Sequence, residues 1–360
     1  MSPSTVLHLW EETPLVRSHG LSERVGANVW LKLETLQPAK SFKYRGISHF
    51  IHVKHSEDAS RHFVIASSGN AAIAAALACK ALGARCSTFV PTDTNANIVE
   101  YLGKNGADVV LEGSGYPAAF IAATRFQGED GTRIMVPAYD NELVWEGHAS
   151  MMNEIAIQLP DGVRPDAVIC AVGGGGLLGG VLLGCEQEYW SDVPVIAVET
   201  HGASCLYHSL LLNKNPSHKL PEGISEINAD GTRLARLPAV TSRATSLGAL
   251  SPSAAVVRKA LAHPGGVIPV SMTDERCMKS VLLLADYEKI IVELACAAAV
   301  AVAADSAILR KALGDKIEGK NIVVIACGGV KVSMQDMVEY LAITGSGSYD
   351  NSVLVAGEEL

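Results

Sequence analysis

A chain of 360 residues that is 48% hydrophobic and 19% charged can bury a sizeable core and, at roughly 150 residues per domain, divides into about two domains. Its net charge of −9 opposes a nucleic-acid-binding or anionic-membrane surface, yet leaves room for a local basic pocket around one small anion. The cysteines, Cys79, Cys86, Cys170, Cys185, Cys205, Cys277, Cys296 and Cys327, show no metal-ligand spacing and mostly sit in apolar runs. That pattern predicts buried free thiols in a reducing, cytoplasmic compartment rather than a disulfide framework.

Residues 1–10 lack a basic segment followed by a long apolar stretch, so no secretory signal is expected. Lys43 lies in Pro38-Ala39-Lys40-Ser41-Phe42-Lys43-Tyr44-Arg45-Gly46, read as a loop. Short β-branched runs then alternate with longer Ala/Leu-rich segments. The pattern predicts strands at 63–66, 86–90, 108–111 and 133–136, with helices over 70–82, 98–105 and 116–126; Gly83 ends the first helix and Pro91 stops the second strand. A second cycle has a helix over 146–158, strands at 167–171, 193–198, 267–270 and 322–326, and a Gly-rich loop after the first of these. The apolar tract 290–304, interrupted by Glu293, reads as a buried helix rather than a membrane span. Such alternation predicts an α/β protein of two domains with doubly wound, mostly parallel sheets and a cleft between them. The stretch Gly345-Ser346-Gly347-Ser348 reads as a mobile tail.

Three segments carry candidate chemistry. In Val172-Gly173-Gly174-Gly175-Gly176-Leu177-Leu178-Gly179-Gly180, the absence of Cβ atoms lets backbone N–H groups surround a phosphate, and the following helix start adds a favourable dipole. The same glycines also suit a plain tight turn. No Walker ending or GxGxxG fingerprint supports a nucleotide. Ser67-Ser68-Gly69-Asn70-Ala71 stands where a strand gives way to a helix, and suits either a carboxylate cradle or an ordinary helix cap. Cys327, in Ile325-Ala326-Cys327-Gly328-Gly329, has the position of a buried strand-end residue. A lysine that forms a Schiff base needs positioning, partial desolvation and a phosphate site for its cofactor, and these segments offer such parts to Lys43.

Thr13-Pro14-Leu15, Ser41-Phe42-Lys43, Ser67-Ser68-Gly69-Asn70, Trp145-Glu146-Gly147-His148-Ala149-Ser150, the tetraglycine loop, Val198-Glu199-Thr200 and Cys327-Gly328-Gly329 occur in this order. Together they resemble the fold-type II (tryptophan synthase β-like) pyridoxal phosphate enzymes, most closely the liver-type L-serine dehydratase/L-threonine deaminase branch. The resemblance spans nearly the whole chain. It implies a large cofactor-binding domain of residues 1–44 and 146–340, a small domain of 45–145 and a flexible tail of 341–360, assembled as a homodimer. It further implies that Lys43 holds pyridoxal phosphate as a Schiff base, Gly173, Gly174, Gly175 and Gly176 bind its phosphate, and Phe42 and Ser246 cover its two faces. Asn70 would bond the 3′-oxygen, Cys327 would face the ring nitrogen, and Ser67, Ser68, Asn70 and Ala71 would cradle the substrate carboxylate.

Glu199 is implied to lie near the active site beside a monovalent-cation site, potassium in kind, to which Ala203, Leu247 and Ala249 would contribute; the bland alternative is a solvent-facing acid at a strand end. Trp145 and His148 are expected to organise the domain junction. The resemblance implies β-elimination, giving pyruvate from L-serine or 2-oxobutanoate from L-threonine, with ammonia. A thiol at Cys327 is a weak donor, which disfavours full protonation of the ring nitrogen and so favours loss of a β-substituent over transamination. The chain departs from the liver-type pattern at Lys40, Ser68, Tyr139, Ser246 and Val330. Two further readings stand beside the ammonia-lyase: β-replacement or elimination on another β-substituted amino acid, and a non-catalytic ligand sensor or scaffold.

Overall fold

The computed structural model describes residues 8–345, 347 and 349–360. The chain opens with β1 (Leu15–Arg17), α1 (His19–Val25) and β2 (Asn28–Leu33), after which α2 (Lys43–Glu57) begins at the lysine singled out above. Next come β3 (His62–Ala66), α3 (Asn70–Leu82), β4 (Arg85–Val90), α4 (Ala96–Lys104), β5 (Ala107–Leu111), α5 (Gly115–Gln127) and β6 (Arg133–Met135). These strands pair in parallel in the order β5-β4-β3-β6 as a sheet of their own.

The second cycle is α6 (Glu142–Gln158), β7 (Ala167–Ala171), α7 (Gly176–Gln187), β8 (Val195–Thr200) and α8 (Cys205–Lys214), followed by the hairpin β9 (Ser225–Ala229) and β10 (Thr232–Arg236). It continues through α9 (Ala254–Ala262), β11 (Val267–Met272), α10 (Asp274–Glu288), α11 (Leu294–Ala303), α12 (Ser306–Leu313) and β12 (Asn321–Ala326). The chain ends with α13 (Met334–Gly345), β13 (Val353–Val355) and β14 (Glu358–Glu359). Among the described residues the larger sheet runs β1-β2-β12-β7-β8-β11-β13-β14, parallel from β2 to β11 and antiparallel at both edges. Strands β7 and β8 are buried along their whole length. Their near-continuous apolar runs follow from helices covering both faces.

The tract 290–304 is corrected only in its bounds: α11 is fully buried, and Glu293 is its N-cap residue rather than an interruption. No helix of the described residues is long and apolar enough to cross a membrane. All eight cysteines are free and buried. The flexible tail expected over 341–360 requires correction. Val353 and Val355 are buried in β13, which pairs with the β11 edge, because alternating valines meet an edge strand that still has free backbone donors and acceptors. Ser346 and Ser348 lie outside the described residues.

A buried ionic cluster joins the two cycles. The Arg45 guanidinium, fully buried in α2, donates Nε and Nη2 to the Glu34 carboxylate at 2.7 and 2.8 Å, and Nη1 and Nη2 to Glu154 of α6 at 2.5 and 2.7 Å. Lys32 of β2, also buried, donates to Glu154 Oε2 and to the Thr13 carbonyl, each at 2.6 Å. Two cations thus face two carboxylates. Gly147 of α6 lets α2 approach: a Cβ there would lie 2.6 Å from the Arg45 carbonyl oxygen. Arg45→Met strands both carboxylates without their fork, so it is expected to cost about 3–5 kcal/mol, read as a lower urea midpoint at unchanged slope; a loss under about 1 kcal/mol contradicts this reading.

Candidate active site

The Lys43 segment is stitched to the end of β12. The Phe42 N–H donates to the Cys327 carbonyl at 3.0 Å, the Gly329 N–H to the Lys40 carbonyl at 2.7 Å, and Ser41 bridges Gly328. Lys43 is therefore the first residue of a helix, not part of a loop. Its Nζ donates to the Ala138 carbonyl and lies 5.4 Å from the Phe42 ring centroid. The residue keeps some accessible area, but burial of the amine lowers it to about 8 against the opposing pull of Cys327 and Glu293. An amine so placed is neutral often enough near neutral pH to act as nucleophile or base.

Between β7 and α7 the tetraglycine segment leaves no room for side chains. A Cβ at Gly174 would fall 2.5 Å from the Tyr139 ring, and one at Gly173 would fall 3.2 Å from Leu247 Cα. Gly175 sits at φ 102, and no side chain caps the start of α7. The N-terminal N–H groups of this helix are thus left to an outside acceptor, for which phosphate oxygens are suited. The turn is tight, as the glycines allow, and its helix start is open to an acceptor from outside the chain.

The turn after β3 is built on the same plan. The N-cap of α3 is Gly69, and neither Ser67 nor Ser68 caps the helix; the Ser67 hydroxyl instead accepts from the Gly69 N–H at 3.3 Å. The ordinary-cap alternative does not describe this turn. Asn70 is held from both ends: Nδ2 donates to Glu293 Oε1 at 2.9 Å and to Ser246 Oγ at 3.4 Å, while Oδ1 accepts from the Val330 N–H at 3.1 Å. Ala71 is buried beneath the turn.

Glu293 was legible only as a charge in an apolar tract. Its carboxyl group is buried beside Asn70, accepts from the Lys331 N–H at 3.2 Å, and is raised by burial above the usual carboxylate range. Gly329, at φ 121, makes room: a Cβ would sit 2.0 Å from Glu293 Cδ. Cys327 is buried just past β12, and the neighbouring Cys296 thiol, followed by burial, pushes its thiol well up, so it stays protonated. Lys43, Asn70, Ser246, Glu293 and Cys327 are thereby drawn together from five separate stretches of sequence.

Glu199 lies at the end of β8 but is only 1% exposed, which overturns the solvent-facing alternative. Its carboxylate accepts from the Leu206 and Tyr207 N–H groups at 3.0 and 2.5 Å, capping α8 from a neighbouring strand. Burial raises it to about 8 against these donors. Cys205, read in the sequence only as one of the buried thiols, connects it to the tetraglycine turn: its thiol donates to the Gly173 carbonyl at 3.9 Å and packs against Ala249. Leu247 touches Gly173 from the other side, and Ala203 is buried next to Thr200, its backbone partner. Among the described residues no group of three or more His, Cys, Asp or Glu side chains is placed to hold a metal ion.

Trp145 and His148 of α6 face α7, and His148 also faces Gly46 of α2. Trp145 Nε1 donates to the Tyr139 carbonyl at 2.7 Å, and His148 Nδ1 accepts from the Gly46 N–H at 3.2 Å while its ring lies 4.9 Å from Phe42. Burial, with Lys43 and Arg45 nearby, holds His148 well below its usual range and therefore neutral.

The chain matches the family model described as pyridoxal-phosphate dependent enzyme over residues 6–328. It is 34% identical to the human L-serine dehydratase/L-threonine deaminase, over 91% of this chain and 93% of that protein. Among solved structures it resembles a fungal L-serine ammonia-lyase from Rhizomucor miehei, with a TM-score of 0.81 and 30% identity, covering 93% of this chain and 99% of the other. It also resembles the processed form of threonine deaminase isoform 2 from Solanum lycopersicum, with a TM-score of 0.79 and 26% identity, over 94% and 84% of the two chains.

Glu199 supplies a pH test. An unfolded glutamate titrates near ~4.3, whereas the folded group titrates near about 8, so the folded state holds its proton more tightly. The stability it contributes is complete below the unfolded value and is lost as pH rises through the folded one. In potassium-free buffer the melting temperature of the wild type should therefore fall relative to that of Glu199→Gln across this window; parallel curves would contradict the buried, raised carboxyl.

Proposed function

This chain belongs to the pyridoxal-phosphate dependent enzyme family, and from that premise we propose that it deaminates L-serine and L-threonine, releasing ammonia with pyruvate or 2-oxobutanoate. The observation that carries the reading is the lowered amine of Lys43, fixed near Cys327 and Glu293 on a segment bonded to the end of β12. The residues present fit the cofactor. The uncapped start of α7 and the side-chain-free tetraglycine turn suit a phosphate, and Phe42 offers an aromatic face next to the lysine amine.

Bound pyridoxal phosphate supplies an aldehyde for amines and a ring that takes up negative charge from the substrate α-carbon. Lys43 would hold the cofactor through that aldehyde, and its lowered amine would serve as the base for the substrate α-proton. Gly173, Gly174, Gly175 and Gly176 hold the phosphate through the start of α7. Asn70, its amide fixed by Glu293 and Val330, presents to the 3′-oxygen, and Phe42 and Ser246 bound the ring. Cys327, kept as a neutral thiol, would face the ring nitrogen without protonating it, which would favour departure of the β-hydroxyl. Ser67, Ser68, Asn70 and Ala71, at the open start of α3, receive the substrate carboxylate.

Glu199 supports this arrangement from below by holding α8 and, through Cys205, the glycine loop. With the carbonyls of Ala203, Leu247 and Ala249 it is assigned to a potassium ion, whose addition should raise activity. The enzyme is further read as cytoplasmic, in keeping with its eight free, buried thiols, and as a homodimer, as the family resemblance implies.

Protein loaded with pyridoxal phosphate should show a visible chromophore that borohydride fixes onto Lys43, located by peptide mass spectrometry, and should form pyruvate from L-serine. Lys43→Ala is expected to lower turnover by about 10³-fold or more. Ordinary turnover in that variant would refute the mechanism, and product from O-acetylserine alone would move the assignment to β-replacement. The rate of cofactor loading should rise with pH and level off above about 8, since only the neutral amine attacks an aldehyde; a flat profile would mean that Lys43 is not the anchor.

A further inference from the structure

Lys331 lies beyond the Cys327-Gly328-Gly329 turn, and its side chain runs back across the start of α3. Its backbone is fixed to the site through the bond from its N–H to Glu293 Oε2 at 3.2 Å, and the preceding Val330 N–H bonds Asn70 Oδ1 at 3.1 Å. Its ammonium is held loosely. Nζ has a long contact of 3.4 Å to Thr245 Oγ1 and enters none of the ion pairs found among the described residues. The stem lies directly on Gly69: a Cβ built there would fall 2.9 Å from Lys331 Cε and 3.3 Å from Nζ. Gly69 is the cap of a helix of 13 residues that no side chain caps.

An exposed ammonium with a weak partner therefore rests on the residue whose backbone opens the carboxylate turn. The nearest carboxyl group named by the geometry, Glu293, is buried and raised by burial, and it bonds the backbone of Lys331 rather than its amine. A lysine anchored at its base, whose ammonium has only the long Thr245 contact and the burial-raised Glu293 nearby, is suited to closing on an anion that arrives.

We propose that Lys331 is a substrate-binding residue whose ammonium closes over the α-carboxylate seated at Ser67, Ser68 and Asn70. The proposal rests on the reading of that turn as the carboxylate site, and adds to backbone N–H donors a point charge that the turn itself lacks. Its effect belongs to substrate binding, because the carboxylate keeps its charge throughout the reaction and so gains from Lys331 before and during the chemical step alike. Gly69 is part of the arrangement, since any side chain there would lift the lysine stem away from the turn.

The test uses the loaded enzyme and glycine, which carries the α-carboxylate and no leaving group, with glycinamide as the uncharged comparison. Binding is followed by the shift of the visible chromophore. Lys331→Ala should weaken glycine binding and raise KM for L-serine by about tenfold, with kcat within about twofold. Lys331→Arg should recover most of the loss, and glycinamide should bind the wild type and Lys331→Ala equally. Cofactor affinity should be the same in all three proteins. Glycine affinity unchanged in Lys331→Ala, or an equal loss for glycine and glycinamide, overturns the inference while leaving the ammonia-lyase reading intact. A wild type that neither binds glycine nor turns over serine overturns both.

Discussion

The guanidinium of Arg45, enclosed by the carboxylates of Glu34 and Glu154, is the constraint on which the site depends. It lies in the first turn of α2, two positions after Lys43, and its four bonds to these carboxylates fix α2 against the Glu34 turn on one side and α6 on the other. A fork of this kind has a strict geometry, because a planar donor set facing two carboxylates tolerates little rotation. Lys32 and the Thr13 carbonyl complete the charge balance. The cluster's main contribution is orientation: buried pairs repay most of their attraction in desolvation, and apolar groups of similar volume often match them in stability. What they do not match is a fixed angular setting for the helix start that carries the lysine.

Around Lys43 the chain then keeps formal charge scarce. His148 is neutral, Cys327 is a thiol, and Glu293 is pushed toward its protonated form by burial. With little fixed countercharge, desolvation dominates and the amine falls to about 8. The low value is thus a property of the surroundings that α2, α6 and β12 bring together, rather than of one partner. The same scarcity suits Asn70, a neutral donor whose orientation is set by an acceptor on one side and a backbone N–H on the other.

The regular part of the fold was legible because its signals are local. The helix at Asn70–Leu82 begins at a glycine turn and ends at Gly83 in the left-handed conformation, and strands such as β7 announce themselves as short buried apolar runs. Helix α2 was missed because its first turns are buried on nearly every side, with Gly46 and three histidines among its residues, so it shows no apolar stripe. Strand β13 was masked by its Gly/Ser-rich approach and is stabilised by β11, which lies about eighty residues earlier. The site followed the same division. Glycine clusters and the lysine segment are contiguous motifs, whereas Glu293, Cys205 and Lys331 acquire their places only through contacts with distant residues.

Helix starts show how the chain separates structural needs from chemical ones. Ser18, Asn95, Asn141, Ser253 and Asp305 cap α1, α4, α6, α9 and α12 with side-chain oxygens, and α8 receives the carboxylate of Glu199. Helices α3 and α7 begin on Gly69 and Gly175 and, like α2, α5 and α11, have no capping side chain and no acid in the first turn. Each leaves N–H donors and the positive end of a dipole unsatisfied, which costs stability unless water or an anion supplies the missing acceptor. Both open ends are linked to the lysine through short chains of contacts: α3 through Asn70 and Val330 to the β12 turn, and α7 through Gly174 and Tyr139 to Ala138, the carbonyl partner of Lys43. A ligand with an anion at each end and an amine-reactive centre between them satisfies all three at once, so the features that weaken these helices in isolation are those that suit them to a phosphate and a carboxylate.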